Sequence, residues 1–67
     1  MIHVRIIELK TMDYINCGVP VLPKKGDTLN AYFDGELRLC KVMNLVFDFN
    51  ELNQFNRATI QVLNQGS

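Results

Sequence analysis

Residues 28–42 read Thr-Leu-Asn-Ala-Tyr-Phe-Asp-Gly-Glu-Leu-Arg-Leu-Cys-Lys-Val, and this stretch decides the fold. From Thr28 to Phe33 apolar and polar side chains alternate, which is the period of a half-buried β-strand. Asp34 and Gly35 follow at once, and this dipeptide is favoured where a two-residue turn needs positive φ at both central positions. The stretch therefore predicts a β-hairpin with its first strand at 28–33.

The returning strand of this hairpin is predicted to run over residues 36–49 and to change phase once. Cys40 and Val42 match one face, whereas Leu45, Phe47 and Phe49 match the other. A bulge near Met43 and Asn44 reconciles the two halves, because one extra residue in a strand swaps the side on which the following side chains lie. A strand that bends in this way is typical of a small barrel.

The chain before the hairpin is predicted to hold two more extended segments. Residues 2–9 are rich in β-branched side chains and change their apolar face, which predicts a strand with a bulge near Ile6. Residues 11–18 lose periodicity and are predicted to be a loop. Residues 19–22 are predicted to be an extended edge segment, because the prolines at 20 and 23 favour extended geometry and cannot donate to a ladder.

The chain after the hairpin ends in one more predicted strand. Residues 50–56 are rich in Asn and Gln and favour a loop, and residues 57–63 alternate again. The side chains predicted to face inward there are Ala58, Ile60 and Val62. Five extended segments and no helical stretch predict one all-β domain over residues 1–67, a small five-stranded barrel. Its strands are expected near 2–9, 19–22, 28–33, 36–49 and 57–63.

Composition limits the classes of function. Seven basic residues balance seven acidic ones, so the chain has no summed positive field, and binding to nucleic acid in general is not expected. No stretch approaches the about 20 apolar residues of a membrane span, and no cleavage site follows the N-terminal segment. A cytoplasmic location without membrane association is therefore expected. In that compartment Cys17 and Cys40 are expected to be reduced apolar fillers.

The inventory of reactive groups is small. The chain has one histidine, two separated cysteines and scattered carboxylates, and no motif pairs a nucleophile with a base. Cys17 beside Gly18 is open to a second interpretation, a reactive thiol, but it lacks a surrounding signature. His3 is expected at the surface. The sequence predicts neither catalysis nor a metal or cofactor site.

A candidate ligand set consists of Lys24, Lys25, Gly26, Tyr32 and Arg38. Two lysines beside a glycine can receive a phosphate or an acidic partner, because a glycine leaves backbone N–H groups approachable. Tyr32 and Arg38 would add an aromatic platform and a cation for a nucleotide. The alternative is that the two lysines only solubilise a turn.

An apolar surplus suggests self-association. Leu37 and Leu39 lie on the face opposite Cys40 and Val42, and are predicted to form an oligomer interface. Three other apolar side chains also fall outside the inward phase: Ile7, Val46 and Leu63. Such residues would form an exposed patch in a monomer, which a homo-oligomer would cover. The alternative is that both faces of bent strands are partly buried in a small barrel.

The chain also carries a set of markers: Pro23-Lys-Lys-Gly-Asp-Thr-Leu29, Asp34-Gly35, Lys41-Val-Met-Asn-Leu-Val-Phe-Asp48 and Ile60-Gln-Val62. With these markers, residues 19–63 resemble small proteins of phages and mobile elements that share a Pro-x-x-Gly-(Asp/Glu) turn, a Gly turn and a Val-x-x-Val strand. The resemblance implies an SH3-like barrel and a viral or mobile-element accessory protein.

Three functional hypotheses follow. The first is a non-catalytic binding module, of a phage counter-defence kind, that self-associates in the host cytoplasm and binds or sequesters a host protein or a small phosphate-bearing signal. The second is an SH3-like or OB-like barrel that stacks nucleic-acid bases on Tyr32, Phe33 or Phe55. The third is a structural adaptor in a viral assembly.

Overall fold

The computed structural model describes residues 1–66, and all of their regular secondary structure is β-strand. The strands are β1 (Ile2–Glu8), β2 (Tyr14–Val19), β3 (Thr28–Phe33), β4 (Glu36–Phe49) and β5 (Phe55–Asn64). Over the described part of the chain there is no helix long and apolar enough to cross a membrane.

The five strands form one curled sheet in the order β2-β1-β5-β4-β3. The β1–β5 pair is parallel and the other three pairs are antiparallel. The all-β, five-stranded architecture predicted from the sequence is thus confirmed at the level of a curled half-barrel. The sheet is open between β2 and β3, because these two edge strands are not hydrogen-bonded to each other.

The core fills the concave side of the sheet. Its buried members come from four strands: Val4, Ile6, Ala31, Phe33, Cys40, Val42, Ala58, Ile60 and Val62. The inward phase predicted for the last strand is confirmed. Leu45 and the half-buried side chains of β2 pack against this cluster and extend it toward the sheet edge. Alternate side chains of each strand point to the convex side, which we call the outer face.

The central hairpin has the predicted turn. Asp34 and Gly35 have φ values of 53° and 79°, as a turn with two left-handed residues requires. Gly26 also has the positive φ predicted for it, 96°. The predicted bulge in the returning strand is confirmed as a register shift between Val42 and Asn44 against β5.

The second strand was placed wrongly. β2 consists of residues 14–19, of which 14–18 were predicted to be loop and only Val19 belonged to the predicted segment 19–22, whereas 20–22 lie outside any strand. Burial does alternate along the segment, with Ile15 and Cys17 half-buried between exposed neighbours. Asn16 and Gly18 on its outer face are typical of turns, so the alternation is weak in the sequence. Pairing from Ile2–Val19 to Ile7–Tyr14 holds this segment against β1.

The predicted bulge near Ile6 is also wrong. β1 pairs without a register shift with β2 on one side and β5 on the other. Ile6 is buried, and Ile7 lies on the outer face beside Tyr14. The two isoleucines lie on opposite faces of a regular strand, with Ile6 in the core and Ile7 half-buried, so no extra residue is needed. The last strand starts at Phe55, two residues before the predicted 57.

Candidate functional site

The predicted Lys24–Lys25–Gly26 turn is exposed and precedes β3. The Gly26 N–H donates to the carbonyl of Val42 at 2.8 Å, so this amide extends the β3–β4 ladder and does not face a ligand. The Lys24 N–H donates to Asp27 Oδ2 at 2.8 Å. The lysine side chains project into solvent, and their role in binding a phosphate stays a prediction.

Tyr32 and Arg38 lie on opposite faces of the sheet. Tyr32 pairs with Leu37 on the outer face and is exposed, whereas Arg38 pairs with the buried Ala31. Only 12% of the Arg38 side chain is accessible. The structure therefore does not bring the five predicted ligand residues together on one surface.

The guanidinium of Arg38 is occupied by partners within the chain. Its Nη2 donates to Asp13 Oδ2 at 3.1 Å, and its Nε donates to Glu36 Oε1 at 3.1 Å. The group also lies 5.0 Å from the centre of the Phe33 ring. Burial on its own would lower the pKa of Arg38, but the hydrogen bonds and charges of Glu36 and Asp13 outweigh it and raise the pKa. Arg38 thus ties β4 to the segment that leads into β2.

The two thiols are free. Burial raises the pKa of Cys17 and of Cys40, and the charge of Glu8 raises that of Cys40 further, although Arg38 opposes it. A raised pKa lowers the fraction of thiolate, which is the nucleophilic form. This environment favours the filler role predicted for both cysteines.

The predicted oligomer interface lies on the outer face next to the β3 edge. Leu37 and Leu39 are 55% and 48% exposed, and Tyr32, opposite Leu37, is 64% exposed. We call these three residues the outer patch. Within the described residues, the hydrogen bonds outside the strand ladders do not involve the backbone of Thr28–Phe33. The free edge of β3 therefore runs alongside the patch.

A second apolar surface lies on the distal part of the β4–β5 hairpin. β5 pairs with β1 only from Ala58 onward, and β3 reaches β4 only as far as Lys41. We call residues 46–57 the aromatic arm. From Asp48 to Arg57 it is two-stranded with no neighbouring strand, whereas at its base Phe47 lies opposite Ala58, the first residue of β5 that pairs with β1. The arm fits the elongated shape of the molecule, which measures 42 × 23 × 21 Å.

Three phenylalanines make contact with one another on the aromatic arm. The Phe55 ring centre lies 6.5 Å from that of Phe47 and 6.0 Å from that of Phe49, the latter pair edge to face. All three side chains are about half exposed, and Leu52 at the tip is 76% exposed. The sequence analysis placed Phe47 and Phe49 in a bent barrel strand and did not identify this surface. The difference in strand length could have indicated this surface. β4 has 14 residues and β3 only 6, so the end of β4 has no partner in β3.

A groove lies where the two halves of the sheet diverge. Its lining consists of His3, Val4, Asn16, Cys17, Gly18, Asn56 and Arg57, and its volume is about 610 Å³. It adjoins the point at which the β1–β5 ladder begins, at Val4 and Ala58. The predicted site residues do not contribute to it, so this groove was also missed.

The base-stacking hypothesis loses one of its three platforms. Phe33 is 1% exposed, so its ring is not open to a base. Tyr32 pairs with Leu37 at the start of β4, and Phe55 pairs with Phe49 at the other end of that strand. These two rings do not form one continuous stacking surface.

Comparison of the chain with protein-family models, with curated proteins and with solved structures finds no match. Function is therefore inferred from the surfaces themselves.

Proposed function

We propose that this chain is a non-catalytic protein-binding module that engages a partner protein through the aromatic arm and self-associates through the outer patch. The observation that carries the proposal is the contact cluster of Phe47, Phe49 and Phe55 on a two-stranded arm. Exposed aromatic clusters of this kind mark interaction sites, because aromatic side chains supply much of the energy at protein interfaces.

The energy available at the arm is substantial. A phenylalanine buries about 150–250 Å² when fully covered, so three half-exposed rings leave on the order of 300 Å² of apolar surface in water. At about 25 cal/mol per Å², covering it contributes roughly 7 kcal/mol before the costs of association. Phe49 and Phe55 lie beyond the last residues that pair with β1 and β3, so contact with another molecule would be needed to cover them.

Self-association is proposed at the outer patch because apolar side chains and an open strand edge lie together there. An antiparallel pairing of β3 with β3 of a second copy would satisfy the free edge of both strands. Such a contact is isologous, so it closes at two copies. Leu37 and Leu39 lie on the outer face of the adjacent strand β4, so they would be covered where the outer patches of the two copies also pack against each other.

The fold assignment within the proposal is an SH3-like barrel opened at one seam. When the five strands are numbered around a circle, so that β5 is followed by β1, each hydrogen-bonded pair joins neighbours on that circle. The one open position lies between β2 and β3. This order supports the assignment. The resemblance of residues 19–63 to phage and mobile-element proteins supports an accessory or counter-defence role toward a host protein.

The experiment that tests the proposal is site-specific photo-cross-linking. A photoreactive phenylalanine analogue replaces Phe49 in one sample and Val21 in another, and both are exposed to lysate of the natural host. Val21 is the matched control because it is an exposed apolar residue outside the arm. We expect a discrete adduct from position 49 that Phe55→Ser abolishes. Equal labelling from both positions, or none from position 49, would refute a specific partner at the arm.

A further inference from the structure

We infer that the groove between β1–β2 and the base of the aromatic arm binds the phosphate group of a small organic phosphate. The groove is a gap in the sheet. The β1–β2 ladder continues to Ile2–Val19, whereas the β1–β5 ladder stops at Val4–Ala58. The ends of β1 and β5 therefore separate, and the space between them is the groove.

A bulge in the arm helps to form the groove. Asp48 pairs with Arg57 and Phe49 pairs with Phe55, so Asn56 is an extra residue on β5 with no opposite partner. A bulged residue departs from the strand alternation and turns its side chain in a new direction. Asn56 lines the groove, which is the position that the bulge provides.

The groove is lined by one charged side chain, the guanidinium of Arg57. The His3 imidazole, which can donate a hydrogen bond, lies beside it, and the lining contains no carboxylate. Asp48 is the nearest acidic partner, with its Oδ2 3.8 Å from Arg57 Nε, and it also accepts a hydrogen bond from the Thr59 hydroxyl. The Nε atom is buried without a hydrogen-bond partner in residues 1–66, so Asp48 only partly compensates the guanidinium.

Arg5 determines which atoms of the Asn16 side-chain amide remain free to bind a ligand. Arg5 Nε donates to Asn16 Oδ1 at 3.2 Å, and the Arg5 guanidinium lies 4.3 Å from the centre of the Tyr14 ring. With its oxygen engaged, Asn16 has its NH₂ group left to donate into the groove. Arginine, histidine and amide donors around one space suit a phosphate, which offers only acceptors and negative charge.

The volume of the groove indicates a ligand larger than a free phosphate ion. A volume of about 610 Å³ lies within the roughly 300–1,000 Å³ of small-molecule sites. The half-buried Cys17 gives an organic portion an apolar surface to pack against. We therefore assign a phosphate carried on a small organic molecule, independent of the protein partner proposed for the arm.

The test is an NMR titration of the isotope-labelled chain with adenosine monophosphate, inorganic phosphate and adenosine. We expect saturable shifts with adenosine monophosphate at the amides of residues 3, 16–18 and 56–57, weaker binding of inorganic phosphate, and none of adenosine. Arg57→Gln should weaken binding at least about tenfold, as expected for a charged hydrogen bond. Arg57→Lys, which keeps the charge, should lose less.

Lys41→Gln is the matched control, because it removes one positive charge from an exposed strand position outside the groove and outside the candidate ligand set. It should leave the affinity unchanged. The inference fails if no titration saturates, if the shifts map to residues 24–26, or if Arg57→Gln binds as the unaltered chain does. Equal affinity for inorganic phosphate, or similar shifts with adenosine, would overturn the assignment of an organic phosphate. None of these results depends on the arm or on self-association.

Discussion

The carboxylate of Glu8 is the one buried acidic group among the described residues, with 1% of the residue exposed. It accepts a hydrogen bond from the Lys10 N–H at 2.7 Å and one from the Thr11 hydroxyl at 3.3 Å. Burial on its own would raise the pKa of Glu8, but these donors and the backbone of Asn64 outweigh burial and lower the pKa. Glu8 thus holds the β1–β2 turn in place through its charge.

Glu8→Gln should therefore destabilise the fold in a pH-dependent way. The pKa of Glu8 is lower in the fold than its ordinary value of 4.5, so its contribution is complete above that value and is lost as pH falls through the folded-state pKa. At neutral pH the substitution should cost about 1–3 kcal/mol in urea unfolding, and the difference should narrow in acid. The exposed Glu51→Gln is the control. A difference that does not change with pH would contradict this role.

The Asp34–Gly35 turn depends on one glycine. Gly35 has a φ of 79°, and a side chain at such a φ costs roughly 1–2 kcal/mol. Gly35→Ala should lower the free energy of unfolding by that amount, although an added Cβ would meet no atom within 4 Å. Gly66→Ala, at a residue without positive φ, should be nearly neutral in the same denaturation series. Equal effects of both substitutions would indicate that backbone strain is not the cause.

At the scale of elements, the sequence predicted correctly those features of strands and turns that depend on one turn dipeptide or on one run of alternating side chains. The hairpin at Asp34–Gly35, the register shift after Val42 and the inward phase of β5 all follow from residues close in sequence. β2 was missed because Asn16 and Gly18 on its outer face weaken the alternation, and its strand geometry comes from pairing with β1. Pairing partners distant in sequence are not encoded in the segment itself.

For the candidate sites, the sequence indicates on which face a side chain lies, but not which residues meet there. Leu37 and Leu39 were identified as outward-facing because strand alternation fixes the face. Arg38 was assigned to a ligand because its partner Asp13 lies 25 residues away and only the fold brings the two together. The groove likewise depends on the residue pair at which the β1–β5 ladder ends, and no pattern within a single segment indicates that pair.

The Arg38–Asp13 ion pair should stabilise the seam of the half-barrel. Arg38 lies on β4 and Asp13 precedes the edge strand β2, so the pair joins elements that share no ladder. A double-mutant cycle with Arg38→Gln and Asp13→Asn should give a favourable coupling free energy that exceeds the error of the measurement, and Arg38→Gln should speed amide exchange in residues 9–13. Additive effects of the two substitutions, with unchanged exchange, would exclude a role for the pair at the seam.

At the scale of the whole molecule, the chain exposes more surface than its size requires. Its accessible surface is 4710 Å², whereas a compact protein of this mass has about 4,300 Å². Its radius of gyration is 12.0 Å, against about 11 Å for a compact chain of this length. The aromatic arm contributes to this excess, and together with the outer patch it leaves apolar side chains in water that association would cover.

Sedimentation equilibrium over a wide range of protein concentration tests self-association through the outer patch most directly. We predict that the mass rises from that of one chain to that of two, and that the double variant Leu37→Glu, Leu39→Glu stays at one. Val21→Glu adds a charge at an exposed apolar residue away from the patch and should dimerise like the unaltered chain. A chain that remains a monomer at all concentrations, or a double variant that dimerises normally, would contradict the account.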